Sequence, residues 1–122
     1  MEKGLTTPLG MQGENLASQY LKQRGLKIRA RNLKLKTGEI DILAQDGPTL
    51  VIAEVKTKTS TQKGTPQEMV HFFKQRKLRT LARELSQRYP NQPIRIDVVA
   101  ILQNPDGTFA IDHIENAVEG NG

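Results

Sequence analysis

The chain has 122 residues, a formal net charge of +5 and a pI near 9.7, which fits one domain of about 100–150 residues with a basic surface suited to polyanionic partners. It contains no Cys, which excludes disulfide frameworks, thiol catalysis and Cys-ligated zinc or iron–sulfur sites. Three Phe, two Tyr and no Trp argue against gripping single strands by stacking bases on a row of rings.

The first predicted helix covers residues 9–24 and is stopped by Gly25 after a basic last turn. Ala17, Tyr20 and Leu21 form its buried arc, and Gly10 and Gly13 point the same way, so the helix backbone can approach a sheet closely. Glu14 lies about 20° from that arc at 100° per residue. It reads either as an early-turn acid favoured by the helix dipole or as a site residue facing the sheet. From Asn15 to Gly38 no acid occurs, while Lys22, Arg24, Lys27, Arg29, Arg31, Lys34 and Lys36 all fall there. That run is either a solubilising face or a nucleic-acid-binding one, and nucleic acid is the expected partner.

Strands follow at residues 27–35, 39–44 and 50–57, rich in aliphatic and β-branched residues. Asp46-Gly47-Pro48 is the turn of a hairpin between the last two. Alternation places Glu39 and Asp41 on one face of their strand and Ile40 and Ile42 on the other; Glu54 and Lys56 share a face of the next. A two-residue loop at Asp46-Gly47 sets Asp41 opposite Ile52, whereas a four-residue loop from Asp46 to Thr49 sets it opposite Glu54. Both loops are even, so Asp41, Glu54 and Lys56 emerge on the same face. The strand 50–55 is apolar enough to be buried on both sides, and a charged pair within it requires a reason. Two carboxylates beside a lysine suit a hard divalent cation, which takes oxygen ligands and keeps several waters.

A second helix is expected over residues 66–88, opened by Pro66. Val70, Phe73, Leu78, Leu81 and Leu85 define an apolar arc of about 140°, with Arg76, Arg79 and Arg83 on the opposite, solvated or phosphate-facing side. Lys74 falls inside the arc, about 40° from Val70. Either it snorkels, or with Gln75 it reaches the metal site or its phosphate. His71 and His113 have no second ligand at metal spacing and read as surface or core histidines. A strand at 94–102 carries Asp97, which either faces the site or pairs with Arg95. A further strand at 108–114 pairs with it across Asn104-Pro105-Asp106-Gly107, and the tail from Glu115 is expected to fray.

The order α-β-β-β-α-β-β gives an α/β fold, a mixed sheet flanked by helices in a single domain over residues 1–122, with its core at about 9–114. No apolar run approaches the roughly 18 residues of a membrane span and the polar N-terminus has no signal-like apolar stretch, so a soluble, cytoplasmic protein is expected.

Asp41, then Glu54-Val55-Lys56 after twelve residues, is similar in spacing to the PD-(D/E)xK nuclease superfamily. The wider series is Gly13-Glu14-x-x-Ala17, Arg31-Asn32, Gly38-Glu39-Ile40-Asp41, Glu54-Val55-Lys56, Lys74-Gln75 and Arg95-Ile96-Asp97-Val98. It resembles the bacterial YraN family, itself similar to archaeal Holliday junction resolvases. The resemblance covers about residues 10–102. It implies a restriction-endonuclease-like fold, phosphodiester hydrolysis on DNA, branched or structured DNA as substrate, and a homodimer. Asp41 and Glu54, with the Val55 carbonyl, would hold Mg²⁺ or Mn²⁺. Lys56 would orient water and stabilise charge on the phosphate, and Glu14 resembles the helix-one glutamate of the resolvases. One departure is that Ile40, not Pro, precedes Asp41. The alternative from a different class is a non-catalytic nucleic-acid-binding module on the same scaffold.

Overall fold

A computed structural model of the chain describes residues 8–59 and 75–118. Helix α1 (Pro8–Gln23) ends where predicted, because Gly25 adopts φ +93°. The Leu26 amide donates to the Leu21 carbonyl and the Gly25 amide to that of Lys22, the paired bonds that close a helix on a left-handed glycine. Strands β1 (Lys27–Lys34), β2 (Glu39–Asp46) and β3 (Thr49–Thr59) form an antiparallel meander. Helix α2 is described over Gln75–Arg88; the expected helical stretch before it lies outside the described residues. Strand β4 (Ile94–Gln103) then pairs parallel to β3, and β5 (Phe109–Ile114) pairs antiparallel to β4. The sheet order is β1-β2-β3-β4-β5. Among the described residues, a mixed five-stranded sheet with two helices thus carries out the expected element order.

The two sheet faces bury separate cores. On one, Ala17 and Leu21 of α1 pack against Ile42, Ala44, Val51, Ala53, Val99 and Ile101. On the other, Leu78, Leu81 and Leu85 of α2 pack against Leu43, Leu50, Ile52, Ile96 and Val98. Both cores use β3 and β4, which explains why those strands are apolar on both sides. The close approach predicted for α1 is made at Gly13, where an added Cβ would stand 2.1 Å from Thr57 Oγ1.

Two expectations are corrected. The β2–β3 turn is Gly47-Pro48, with Asp46 paired to Thr49 and Gly47 at φ +59°. This is the register of the longer loop considered above, reached through a tighter turn that only a left-handed first residue permits. The segment after β5 does not fray at Glu115. The Ala117 amide donates to the Ile96 carbonyl at 2.7 Å and Val118 is buried in the α2-side core, so an apolar pair anchors it to β4.

Candidate functional site

Glu54, Lys56 and Lys58 occupy alternate positions on β3, in step with Leu50 and Ile52 of the α2-side core. Val55 packs toward the α1 side, and Thr57 meets Gly13 there. The pairing with β4 is regular from Leu50 to Thr59, so the alternation is unbroken and the three charges share the α2 face. Glu54 is 7% exposed and flanked by Val98 on β4, its register partner. A carboxylate so buried in an aliphatic sheet needs partners to remain there.

Asp41 reaches this segment by a route that simple alternation does not foresee. Ile40 belongs to the α2-side core and Ile42 to the α1-side core, although an unbroken strand would place both on one side. The change of side falls at Asp41. Across on β1, the register passes from Arg31–Ile42 to Leu33–Ile40, and the skipped residue, Asn32, has φ +53°. A left-handed non-glycine residue in a strand turns the chain locally, and Asn tolerates that conformation better than most. The tip of the β1–β2 hairpin is thereby rotated relative to its base. The expectation that Ile40 and Ile42 share a face fails for this reason.

At the kink, Asp41 Oδ2 accepts a hydrogen bond from the Val55 amide at 2.9 Å. Counting away from the turn, Asp41 lies next beyond Ile42 and Glu54 next beyond Ala53, the last β2–β3 pair. The Asp41 carboxylate therefore sits on the backbone between Glu54 and Lys56. Asp41 is thus brought to the backbone beside Glu54 and Lys56, which stand in step on the α2 face of β3. Among the described residues no group of three or more His, Asp or Glu forms a metal cage. Two carboxylates from adjacent strands nonetheless fit a magnesium-like ion, which is commonly held by one or two carboxylates together with waters and phosphate oxygens.

The remaining candidates are distributed differently. Glu14 stands at the same kink, its Oε1 3.6 Å from the Arg31 guanidinium and 3.4 Å from Asn32 Nδ2, with 15% of its side chain exposed. It does not complete a three-carboxylate group with Asp41 and Glu54 among the described residues. Gln75 opens the described part of α2 and accepts from Arg79 at 3.2 Å. Lys74 and His71 lie outside the described residues. Arg79, expected on the exposed ridge, is half-buried, whereas Arg76 and Arg83 are exposed. The α2 face turned toward β4 is wider than its leucine arc.

Asp97 is fully buried and turned away from Glu54, since its register partner is Ala53 while Glu54 pairs with Val98. It accepts from Arg95 Nε at 2.9 Å and from the Asn116 amide at 2.9 Å, and meets His113 Nε2 at 2.9 Å. His113 Nδ1 in turn meets the Tyr20 hydroxyl at 3.1 Å, and Arg24 donates to that hydroxyl. Of the two sequence readings of Asp97, pairing with Arg95 is the one adopted. The network ties α1, β4, β5 and the C-terminal turn together, and His113 takes its place as a satisfied core histidine. The Arg95 guanidinium is held firmly protonated, chiefly by its bonds to Asp97 and also by Asp46.

Sequence reasoning missed Lys58, 7% exposed and in step with Lys56; the alternation Lys56-Thr57-Lys58 was its available signal. It also missed Glu84, whose carboxylate receives the Lys36 and Thr37 amides and the Thr37 hydroxyl, fastening the β1–β2 loop to α2. Beside that anchor, Lys34, Lys36, Lys77 and Glu39 line a cleft of about 400 Å³ next to the start of β2. All seven cations of the basic run Lys22–Lys36 are exposed.

Residues 13–101 match the model of a family described as "Uncharacterised protein family UPF0102". The chain is 42% identical over 111 residues to a UPF0102 protein of Symbiobacterium thermophilum, covering 89% of this chain and 94% of that one. It is 44% identical over 113 residues to one of Geotalea uraniireducens, covering 91% and 89%. With a UPF0102 protein of Thermodesulfovibrio yellowstonii it shares 44% identity over 110 residues, covering 89% and 94%.

Proposed function

The chain belongs to the UPF0102 family, and for it we propose divalent-metal-dependent endodeoxyribonuclease activity on a restriction-endonuclease-like version of the mixed sheet, within the PD-(D/E)xK superfamily. The observation that carries the reading is the Asp41 carboxylate bonded to the Val55 amide, between the buried Glu54 and Lys56. An acid aimed at the backbone beside a second, buried acid and a lysine is an arrangement that suits charge chemistry at this point of the sheet.

In this reading Asp41 and Glu54 hold Mg²⁺ or Mn²⁺, with the Val55 carbonyl as a further oxygen donor. The bound ion supplies charge neutralisation at the phosphate and a more acidic water. The Val55 amide fixes the Asp41 carboxylate, so the ligand is set before substrate arrives. Lys56, on the same face as Glu54, orients the attacking water and stabilises negative charge gathering on the phosphate oxygens. Glu14, held by Arg31 and Asn32, steadies the kink beside Asp41, and Gln75, with Lys74 outside the described residues, is proposed to serve the bound phosphate.

DNA is the substrate this surface suits. The exposed cations from Lys22 to Lys36 and the cleft lined by Lys34, Lys36 and Lys77 offer a phosphate track toward β2. Branched or structured DNA, a homodimeric assembly and a cytoplasmic setting complete the proposal. Among the described residues no helix is long and apolar enough to cross a membrane. The second reading, a non-catalytic nucleic-acid-binding module, draws on the same basic surface without the acids. Incubating linear, flapped, gapped and four-way DNA with Mg²⁺, Mn²⁺ or EDTA separates the two. Metal-dependent nicks support the nuclease; binding to all forms with no cut under any condition supports the module.

A further inference from the structure

On the α2 side of the sheet, a second cleft lies between α2, the start of β4 and the C-terminal turn. It has a volume of about 290 Å³ and is lined by Arg79, Arg83, Gln92, Asn116 and an apolar wall that includes Ile94 and Val118. None of these residues belongs to the proposed nuclease site. Arg79 gives one guanidinium nitrogen to Gln75, yet its Nε is buried and finds no hydrogen-bond acceptor among the described residues. Buried charged donors are normally satisfied, and this one borders a cleft.

The polar lining, Arg79, Arg83, Ser86, Gln92 and Asn116, is rich in donors. Gln92 accepts from Gln45 through its Oε1, which leaves its amide nitrogen to donate. Among the described residues, two guanidinium groups line the cleft and no carboxylate does. Glu84, the acid of α2 nearest in sequence, is taken up by the β1–β2 loop on another side of the helix. The surroundings are therefore cationic, rich in N–H groups and poor in acceptors, and the complementary chemistry is an oxyanion with several acceptor oxygens. Arginine pairs carry that recognition best because guanidinium N–H groups meet phosphate oxygens two at a time. The apolar wall gives the body attached to the anion a surface to rest on.

We propose that this cleft is a phosphate-binding site, with Arg79 as its anchoring donor and Arg83, Gln92 and Asn116 as its rim. The phosphate comes either from a small phosphorylated molecule or from the phosphorylated end of a nucleic acid strand. The cleft shares no lining residue with the metal ligands, although its Arg79 is hydrogen-bonded to Gln75 of the proposed nuclease site.

The test uses the full chain in EDTA, at fixed ionic strength, so that no outcome depends on cleavage. Sodium phosphate, a deoxynucleoside monophosphate, and DNA duplexes with and without a 5′-phosphate are titrated separately. The methyl resonances of Ile94, Ile96 and Val118 are followed alongside calorimetry. Saturable shifts of those methyls are expected with at least one phosphate probe. Arg79→Gln should weaken that binding by roughly 10- to 100-fold, whereas Arg76→Gln, the same charge change at an exposed position of the same helix, should leave it nearly unchanged. Preference for the 5′-phosphorylated duplex assigns the strand end as the source; preference for phosphate or mononucleotide assigns a small molecule. If Arg79→Gln does not fold, Arg79→Lys keeps the charge without the Nε donor and should still bind more weakly. Absence of saturable shifts in the wild type, shifts that follow ionic strength alone, or equal affinity in the folded Arg79 variant overturns the proposal.

Discussion

Asp41 shows how much can turn on one side chain replacing a piece of backbone pairing. Its carboxylate accepts the Val55 amide beyond the last β2–β3 pair, and that bond orients it. Asp41→Ala and Glu54→Ala should each abolish metal-dependent cleavage, because an ion held by so few protein oxygens is lost when one is removed. The two variants should differ in stability. Asp41→Ala strips the Val55 amide of its partner and should cost about 1–3 kcal/mol, whereas Glu54→Ala leaves the partners of a buried carboxylate uncompensated and should cost more, about 3–5 kcal/mol. Lys56→Ala should still bind DNA and metal but cleave roughly 10²–10³-fold more slowly, as expected for loss of one charge-stabilising donor. Cleavage assays beside urea unfolding check both halves; full activity in all three variants would refute the assignment.

At the scale of elements, two contacts set where the helices stand. Helix α1 touches β3 through Gly13, whose hypothetical Cβ would lie 2.1 Å from Thr57 Oγ1, 3.2 Å from Thr57 Cβ and 3.3 Å from Thr57 Cγ2. Rotating Thr57 cannot clear all three, so Gly13→Ala should destabilise by about 1–3 kcal/mol through overpacking. Adding Thr57→Ala should recover part of that loss, a non-additivity visible in a double-mutant cycle of unfolding midpoints. Helix α2 holds the β1–β2 loop through Glu84. The Thr37 hydroxyl, followed by the Lys36 and Thr37 amides and the charge of Arg88, pulls the Glu84 carboxyl below the ordinary glutamate range. A carboxylate depressed on folding adds stability above its unfolded value, and that contribution is lost as pH falls through the folded one. The loop should therefore loosen as pH falls below the ordinary glutamate range. Glu84→Gln should show faster amide exchange at Lys36 and Thr37 at neutral pH and a weaker acid dependence there; exchange that matches wild type at both pH values would show that the anchor is not needed.

Across the whole molecule, charge is arranged as a coat rather than a spot. The cations from Lys22 to Lys36 are exposed along the end of α1 and the edge strand β1, where they also discourage strand-to-strand aggregation. Used for DNA, such a surface gives salt-sensitive binding that outlives the metal site. With roughly four to six phosphates neutralised, log affinity should fall against log salt with a slope of about −4 to −5. Asp41→Ala should retain that slope in a fluorescence anisotropy titration. Binding insensitive to salt, or none at low salt, would remove DNA from the proposal.

The periodicity of apolar residues in this chain was enough to determine the order of elements, because a strand buried on both faces and a helix with one leucine stripe each leave a distinct spacing. A strand over residues 50–57 buried on both faces and a helix stop at Gly25 were legible, whereas the face parity expected to set Asp41 with Glu54 and Lys56 does not survive the parting of Ile40 and Ile42. The rest was decided in three dimensions. That Ile40 and Ile42 part to opposite cores depends on Asn32 in a left-handed conformation on a neighbouring strand, which no alternation rule within β2 contains. The partners of Asp97 come from α1, from β5 and from the turn after it, and the choice between its two readings was settled only when those elements packed together. Arg79 is drawn off the expected solvent ridge because β4 and Val118 flank its side of α2. Local spacing fixes which face a residue presents relative to its own strand or helix; which neighbour that face meets is set by the long-range pairing of the chain.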